Sequence, residues 1–278
     1  MNSAEEIKDM VREKYTIIAN QNPELNAVSC CGIDGCETLD YSIFSEDYAE
    51  MSGYLEKADL KLGCGMPVEY AGLAKGQTVV DLGSGAGNDC FVSRAYVGEE
   101  GEVIGIDMTP VMIEKSKELA KELKLGNVKF RLGEIEALPM AANKADVVIS
   151  NCVLNLVPNK EKAFAETFRI LKPGGHFCIS DVVTKGDLPA KLREAGELYA
   201  GCVSGALIKN EYLGIIHETG FQNVSIKAEK RIIVPDEILL NYIDASELEA
   251  YRASNTGIYS ITVTAYKGAA CDPNSGCC

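Results

Sequence analysis

The segment that most constrains the fold is a glycine-rich stretch, DLGSGAGN, at residues 81–88. It follows an apolar run that predicts a strand at residues 78–81, and it precedes a predicted helix at residues 88–97. Glycines at such a turn let the backbone pass close beneath a ligand, while the helix N-terminus presents free N–H groups to a carboxylate. The next apolar run ends at Asp107, whose two oxygens can accept both hydroxyl groups of a ribose. Together these features predict a nucleotide-binding site.

Predicted strands and helices alternate along the chain from residue 78 onward. Strands are predicted at residues 78–81, 103–107, 128–132, 145–150, 176–181, 224–228 and 258–266. Helices are predicted at residues 3–20, 48–60, 88–97, 110–124, 159–171, 188–200 and 208–219, with a turn at LKPGG. Such alternation is typical of βαβ units, so we expect an α/β, Rossmann-like fold with a mostly parallel sheet and helices on both faces.

The details of the glycine loop favour S-adenosylmethionine over a dinucleotide. The loop begins Asp-x-Gly-x-Gly rather than Gly-x-Gly-x-x-Gly. At the strand end, Asp81 would attract the ammonium group of the methionine moiety, whereas it would repel a pyrophosphate. The sequence therefore predicts a methyltransferase.

Four segments within residues 75–181, DLGSGAGN, GIDMTP, GEIEALP and LKPGG, resemble the class I methyltransferase family. The resemblance implies that Asn151, just beyond the fourth strand, faces the transferable methyl group. It also implies that the methionine end of the donor is lined by Gly83, Ser84, Gly85 and Asn88. The adenine, by the same resemblance, is lined by Met108, Glu134 and Ile135.

The bulk composition limits the partners and the compartment. The formal net charge of −14 argues against nucleic acid and against an anionic membrane surface. The N-terminus is too acidic for a secretory signal, and the sequence has no apolar run of the roughly 20 residues that cross a bilayer. We therefore expect a cytoplasmic protein. In that reducing compartment, the 11 cysteines indicate soft-ligand or redox chemistry rather than disulfides. The cysteines lie at positions 30, 31, 36, 64, 90, 152, 178, 202, 271, 277 and 278.

Three cysteines are candidates for binding the methyl acceptor. Cys152 follows a parallel strand at the carboxyl edge, where open α/β sheets place ligands, and Cys64 and Cys202 lie among small residues. Three converging thiolates would bind a soft trivalent acceptor such as arsenic(III). Its lone pair is itself the nucleophile, so no general base is needed, and the two histidines, His176 and His217, are interpreted as structural. Each cysteine taken alone could be a small buried apolar residue, which is the commoner role of a free cysteine and the interpretation given to Cys90 and Cys178.

The segments VSCCG, KLGCGMP, ISNCVLNLVPNK and YAGCVSGAL are similar to the arsenite methyltransferase family over about residues 28–267. The similarity implies that Cys152 and Cys202 hold arsenic, that Cys64 joins them, and that Cys30 or Cys31 cooperates with Cys64. It also implies that arsenite or its thiol conjugates are the substrate, in detoxification, and that thioredoxin or glutathione is the reductant. The chain departs from the family at Leu62, where many relatives have tyrosine.

The expected organisation has four parts. Residues 1–74 form an N-terminal helix and a cysteine-bearing loop segment, and residues 75–185 form the donor-binding core. Residues 186–267 bind the acceptor and complete the sheet, and residues 268–278 form a flexible cysteine-rich tail that either delivers metalloid or is incidental.

The sequence is also compatible with two other functions. A carbon methyltransferase acting on a quinone- or sterol-like molecule would share the core motifs. A protein that binds zinc or a metalloid without catalysis would also use cysteines, but the sequence lacks the paired CxxC spacings of zinc sites.

Overall fold

The computed structural model describes residues 3–20, 47–194, 205–254 and 256–269. Within those residues the strands form one seven-stranded sheet in the order β3-β2-β1-β4-β5-β7-β6. Strands β1 to β5 are parallel, and β7 runs antiparallel between β5 and β6. The strands are β1 (Thr78–Leu82), β2 (Glu102–Asp107), β3 (Val128–Leu132), β4 (Ala145–Asn151), β5 (Leu171–Lys185), β6 (Gln222–Ile232) and β7 (Gly257–Tyr266). The predicted α/β class and mostly parallel sheet are confirmed.

Helices cover both faces of the sheet because successive strand residues point to opposite sides. In β1, Val79 belongs to the apolar cluster that contains Phe91, whereas Val80 belongs to the cluster that contains Phe164. The helices are α1 (Ala4–Asn20), α2 (Pro67–Tyr70), α3 (Asn88–Val97), α4 (Pro110–Glu122), α5 (Lys160–Ile170), α6 (Ala190–Glu194), α7 (Lys209–Glu218), α8 (Asp236–Leu239) and α9 (Ala245–Ala253). None of the helices in the described ranges is both long and apolar enough to cross a membrane.

Some predicted elements differ in the structure. The helix predicted at residues 48–60 is wrong, since only a single 3-10 turn forms there, at Glu56–Ala58. Gly53 adopts a φ of +87°, which an α-helix cannot include, and a Cβ at this position would lie 2.6 Å from the Phe91 carbonyl oxygen. The LKPGG segment lies inside β5, where a register shift against β4 accommodates it. Of the helix predicted at 188–200, α6 forms the described part, and residues 195–204 lie outside the described residues.

The sheet order determines where a ligand can bind. Strand β1 has β2 on one side and β4 on the other. The chain therefore adds β2 and β3 outward on one side of β1, and then β4 and β5 outward on the other side. In open α/β sheets the crevice outside the carboxyl ends of such strands is the ligand site. The ends of β1 and β4 are Leu82 and Asn151, which precede the glycine loop and Cys152 respectively.

Candidate active site

A cavity opens at the carboxyl ends of β1, β2 and β4, beside the glycine loop. All ten residues predicted to bind the methyl donor line it, and so does Cys152. Those ten are Asp81, Gly83, Ser84, Gly85, Asn88, Asp107, Met108, Glu134, Ile135 and Asn151. Leu62, where the sequence analysis notes a departure from the family pattern, also lines this cavity.

Asp107 connects the end of β2 to the glycine loop. Its Oδ2 accepts the N–H of Gly85 at 2.9 Å, and its Oδ1 accepts the N–H of Thr109 at 2.8 Å. Burial raises the pKa of Asp107 from its ordinary value, and these hydrogen bonds oppose that rise. Because each carboxylate oxygen has a second lone pair, Asp107 can still accept ribose hydroxyls from the cavity side.

Two buried carboxyl groups, Asp81 and Asp89, form an acidic floor to the cavity. Burial raises the pKa of Asp81 well above its usual value, and the charge of Asp89 raises it further. Burial likewise raises the pKa of Asp89 to about 6, against hydrogen bonds from Tyr48 and Asn151 that favour the ionised form. The Cys90 thiol donates to Asp81 Oδ2 at 3.3 Å. A cationic ligand above this floor would stabilise both carboxylates.

Several polar atoms in the cavity wall are buried without a hydrogen-bond partner among the described residues. They are Ser84 Oγ, Asn88 Oδ1 and Asp89 Oδ1. Buried polar groups are normally satisfied, so atoms of this kind indicate a ligand that completes their hydrogen bonds. Together with the acidic floor, this set fits S-adenosylmethionine, which carries an ammonium, a sulfonium and ribose hydroxyls.

Asn151 joins the donor cavity to the segment that carries Cys64. Its Oδ1 accepts the backbone N–H of Cys64 at 3.0 Å, and its Nδ2 donates to the carbonyl oxygen of Gly65 at 2.8 Å and to the Tyr48 hydroxyl oxygen at 3.0 Å. Gly63 lies against the same amide, since a Cβ there would be 2.5 Å from Asn151 Nδ2. The Asn151 side chain is therefore held from several sides.

Of the five cysteines predicted to act on the acceptor, the structure describes Cys64 and Cys152. Both are buried and belong to one apolar cluster. Cys152 has a φ of +60°, and its N–H donates to the Ser180 carbonyl oxygen at 2.8 Å. The other three, Cys30, Cys31 and Cys202, lie outside the described residues. Within the described part of the chain, no three His, Cys, Asp or Glu side chains are grouped so that they could hold a metal ion.

The N-terminal helix α1 forms one wall of the cavity, through Lys8, Val11 and Tyr15. Lys8 Nζ lies 2.7 Å from Glu134 Oε2 and 2.6 Å from Glu136 Oε2, and these partners raise the pKa of Lys8 to about 12. The two glutamates lie in the loop after β3, beside the predicted adenine position. An ion-paired lysine therefore fastens α1 over the donor cavity.

Sequence reasoning missed several residues that the structure brings into this site. Asp89, Tyr48 and the wall residues of α1 were not predicted. Asp89 follows Asn88 directly, so its place on the first turn of α3 was a usable signal. Tyr48 and Lys8 meet the site through contacts distant in sequence, and no local pattern marks them. Val11 and Tyr15 differ, since both lie on the apolar face of the helix predicted at residues 3–20.

Comparison with known proteins places the chain in a family. A methyltransferase domain family matches residues 73–220. The arsenite methyltransferase of Halobacterium salinarum is 39% identical over 278 residues, which cover 95% of this chain and 68% of that protein. The crystal structure of an arsenic(III) S-adenosylmethionine methyltransferase from Chlamydomonas reinhardtii superposes with a TM-score of 0.63 at 35% identity, covering 74% of this chain and 68% of that one. A ubiquinone/menaquinone biosynthesis C-methyltransferase of Citrobacter koseri matches over only 113 residues, 40% of this chain and 45% of that protein. The chain therefore belongs to the arsenite methyltransferase family.

Proposed function

We propose that this protein transfers the methyl group of S-adenosylmethionine to thiol-bound arsenic(III), converting arsenite to methylated arsenicals in arsenic detoxification. The observation that carries the proposal is the position of Cys152, which lines the donor cavity directly after Asn151. Asn151 in turn binds the backbone of Cys64. The end of β4 thus brings a donor site and two thiols together.

The acceptor is held by Cys64, Cys152 and Cys202. Each thiol replaces one hydroxyl of arsenite, or one glutathione of its conjugate, so that a sulfur–arsenic bond forms and water or glutathione leaves. Such exchange depends on thiolate formation. With three sulfurs bound, arsenic(III) is pyramidal and keeps a lone pair. That lone pair is the nucleophile, and no proton has to be removed from it.

The chain's own residues bind and orient the donor. The bound donor supplies an electrophilic methyl group on a sulfonium. Asp81 and Asp89 provide the negative charge for its cationic end, and Asp107 accepts from the ribose. The wall formed by α1, including Tyr15, bounds one side of the donor cavity. Fixing both reactants at the end of β4 lowers the barrier through proximity and orientation.

After transfer the arsenic is pentavalent, and a cysteine pair returns it to the trivalent state. A thiolate of Cys30 or Cys31 attacks the arsenic-bound sulfur of Cys64. A disulfide forms, the sulfur–arsenic bond breaks, and its electron pair stays on arsenic. Thioredoxin or glutathione then reduces the disulfide, which is consistent with the cytoplasmic location that we propose.

Arsenic speciation with variant proteins tests this function. The protein is incubated with arsenite, a thiol reductant and methyl-labelled S-adenosylmethionine. We expect methylated arsenic from the wild type and from a Cys178→Ala control, since Cys178 lies buried within β5 away from the cavity lining. We expect none from Cys152→Ala or Cys202→Ala. If the wild type binds the donor but forms no methylated arsenic, a carbon acceptor becomes the better candidate.

A further inference from the structure

A basic groove runs along the outer edge of the sheet, between α4 and β3. Its described lining contains five cationic side chains and no carboxylate. The cations are Lys117 and Lys121 of α4, Lys124 just after α4, and Lys129 and Arg131 of β3. Acidic residues outnumber basic ones 41 to 27 in the whole chain, so composition does not account for this groove. None of the five residues is among the described lining of the donor cavity.

Three lysines of the groove are available to a partner. Lys117 and Lys121 are four residues apart and Lys124 follows three residues later, so the three lie along one side of α4 and its C-terminal turn. All three are exposed, and within the described ranges no carboxylate forms an ion pair with any of them. The helix dipole favours cations in the last turn of a helix, which explains Lys121 but not Lys117.

The strand beside these lysines has an unpaired edge. Among the described strands only β2 pairs with β3. The Gly133 N–H donates to the carbonyl oxygen of Asp107, on the β2 side. Because alternate residues of a parallel strand bond to the same neighbour, the N–H and C=O groups of Phe130 and Leu132 point away from β2. Such an edge is a template on which another strand can pair.

The two sides of this edge differ in the cations that they offer. Phe130 is buried in the apolar cluster that contains Leu119 of α4, so its neighbours Lys129 and Arg131 point to the opposite face of the sheet. Lys129 is paired with Glu102, and Arg131 donates to a carbonyl oxygen. A strand added beside β3 therefore meets unpaired cations on the face that α4 covers.

We propose that the basic groove binds an acidic, extended segment of another protein, which adds to the sheet as a strand beside β3. Alternate residues of a strand lie about 6.6 Å apart, and residues four apart on a helix rise by about 6 Å. Carboxylates at alternate positions of the segment can therefore each meet one lysine of α4. The backbone of the segment pairs with Phe130 and Leu132.

This partner satisfies both features of the groove, whereas other ligands satisfy one or neither. A small free anion would use the lysines and leave the strand edge unpaired. A second copy of this chain offering its own β3 would bring like charges together, which is destabilising. Nucleic acid is opposed by the net charge of −14.

Peptide binding to the full-length protein tests the proposal by fluorescence anisotropy. The probe is a labelled peptide of alternating residues, Glu-Val-Glu-Val-Glu-Val. One control has the same sequence with every backbone nitrogen methylated, so it keeps the carboxylates but donates no backbone hydrogen bond. The other control replaces each Glu by Lys. We expect the probe to bind at least about tenfold more tightly than either control, and its binding to slow hydrogen exchange at the amides of Phe130 and Leu132.

A combined variant, Lys117→Gln with Lys121→Gln and Lys124→Gln, removes the unpaired cations of the groove. We expect its affinity for the probe to be at least about tenfold lower than that of the wild type, because three ion pairs are lost together. Its affinity for S-adenosylmethionine should stay that of the wild type, since none of the three lines the donor cavity. This second measurement shows that the variant is folded.

The matched control combines Lys75→Gln, Lys144→Gln and Lys162→Gln, three exposed lysines outside the groove, and removes the same charge. It should bind the probe like the wild type. Equal binding of the probe and its methylated form would overturn the strand addition. Equal affinity in the two lysine variants would overturn the groove as the site. Displacement of the probe by an equal concentration of inorganic phosphate, or a wild-type dimer that the groove variant dissociates, would assign the groove to a small anion or to a second copy, and either would overturn the proposal.

Discussion

The side-chain oxygen of Asn151 accepts a hydrogen bond from the backbone N–H of Cys64, at 3.0 Å, although 87 residues separate the two in the chain. Asn151 also lines the donor cavity. One amide therefore joins the donor cavity to the backbone of Cys64, the thiol that we propose binds the acceptor, so disturbing it should affect both substrates together.

Gly63→Ala tests this coupling. A Cβ at residue 63 would lie 2.5 Å from Asn151 Nδ2, so the amide must move. We expect the affinities for S-adenosylmethionine and for arsenite to fall together, each by about tenfold, the effect of losing a buried hydrogen bond. Isothermal calorimetry measures both. Gly126→Ala is the control, because a Cβ there meets nothing within 4 Å. Loss of one affinity without the other would contradict the coupling.

Asp107→Asn should weaken donor binding without unfolding the protein. The substitution replaces one acceptor oxygen by a donor facing the N–H of Gly85 or Thr109. Hydrogen bonds to charged groups contribute about 1.5–3 kcal/mol, so we expect a dissociation constant at least about tenfold higher. Asp146→Asn serves as the control, since Asp146 pairs with Lys172 and lies outside the described cavity lining. Equal donor affinity in the two variants would remove Asp107 from the binding site.

Donor affinity should rise with pH through about 6. Burial raises the pKa of Asp89 to about 6 in the donor-free protein, so this group is protonated below that pH. A cationic donor favours the ionised carboxylate, and binding below pH 6 should therefore release a proton. Calorimetry in two buffers of different ionisation enthalpy measures the release. Asp89→Asn should remove the inflection near pH 6 and leave only the proton release that Asp81 contributes, and a wild type without an inflection near pH 6 would contradict this role.

The raised pKa of Asp89 also makes the stability of the donor-free protein depend on pH. Because the folded pKa of Asp89 lies above that of the unfolded chain, the folded state binds more protons between these two values. The contribution of Asp89 to stability is therefore largest at low pH and is lost as the pH rises to about 6. Chemical unfolding of the wild type and of Asp89→Asn at matched pH values measures this difference.

Lys8→Met should loosen the N-terminal wall. The variant keeps an apolar stem but loses the pairs with Glu134 and with Glu136, whose side chain is only 7% exposed. We expect a several-fold weaker donor affinity and faster amide hydrogen exchange in α1, since partly exposed ion pairs contribute about 1 kcal/mol or less. Lys57→Met, which removes a solvent-exposed pair with Glu122, should change neither property. Unchanged exchange in α1 would show that Lys8 does not fasten it.

The parts of the fold that could be predicted are those with local signals. Apolar runs identified strands β1 to β7, and the glycine loop identified the donor site, because both depend on neighbouring residues. The helix predicted at residues 48–60 failed because Gly53 packs against the backbone of α3, a tertiary contact. Helix α9 was missed although its capping box, Asp244 with Glu247, is a readable start signal.

The site divides in the same way. The ten predicted donor residues meet in one cavity because they follow successive strands whose carboxyl ends share an edge. Tyr48 and Lys8 could not be predicted, since each reaches the cavity from an element without a motif.

The left-handed backbone of Cys152 has a consequence for engineering the protein. At a φ of +60° a residue with a Cβ carries about 1 kcal/mol of strain that glycine does not. Methods that raise thermal stability by placing glycine at left-handed positions would select residue 152. The Cys152→Gly substitution would relieve the strain but would also remove the thiol. At this one residue, relief of backbone strain thus conflicts with the thiol role that we propose, and stabilising substitutions have to be placed at other positions.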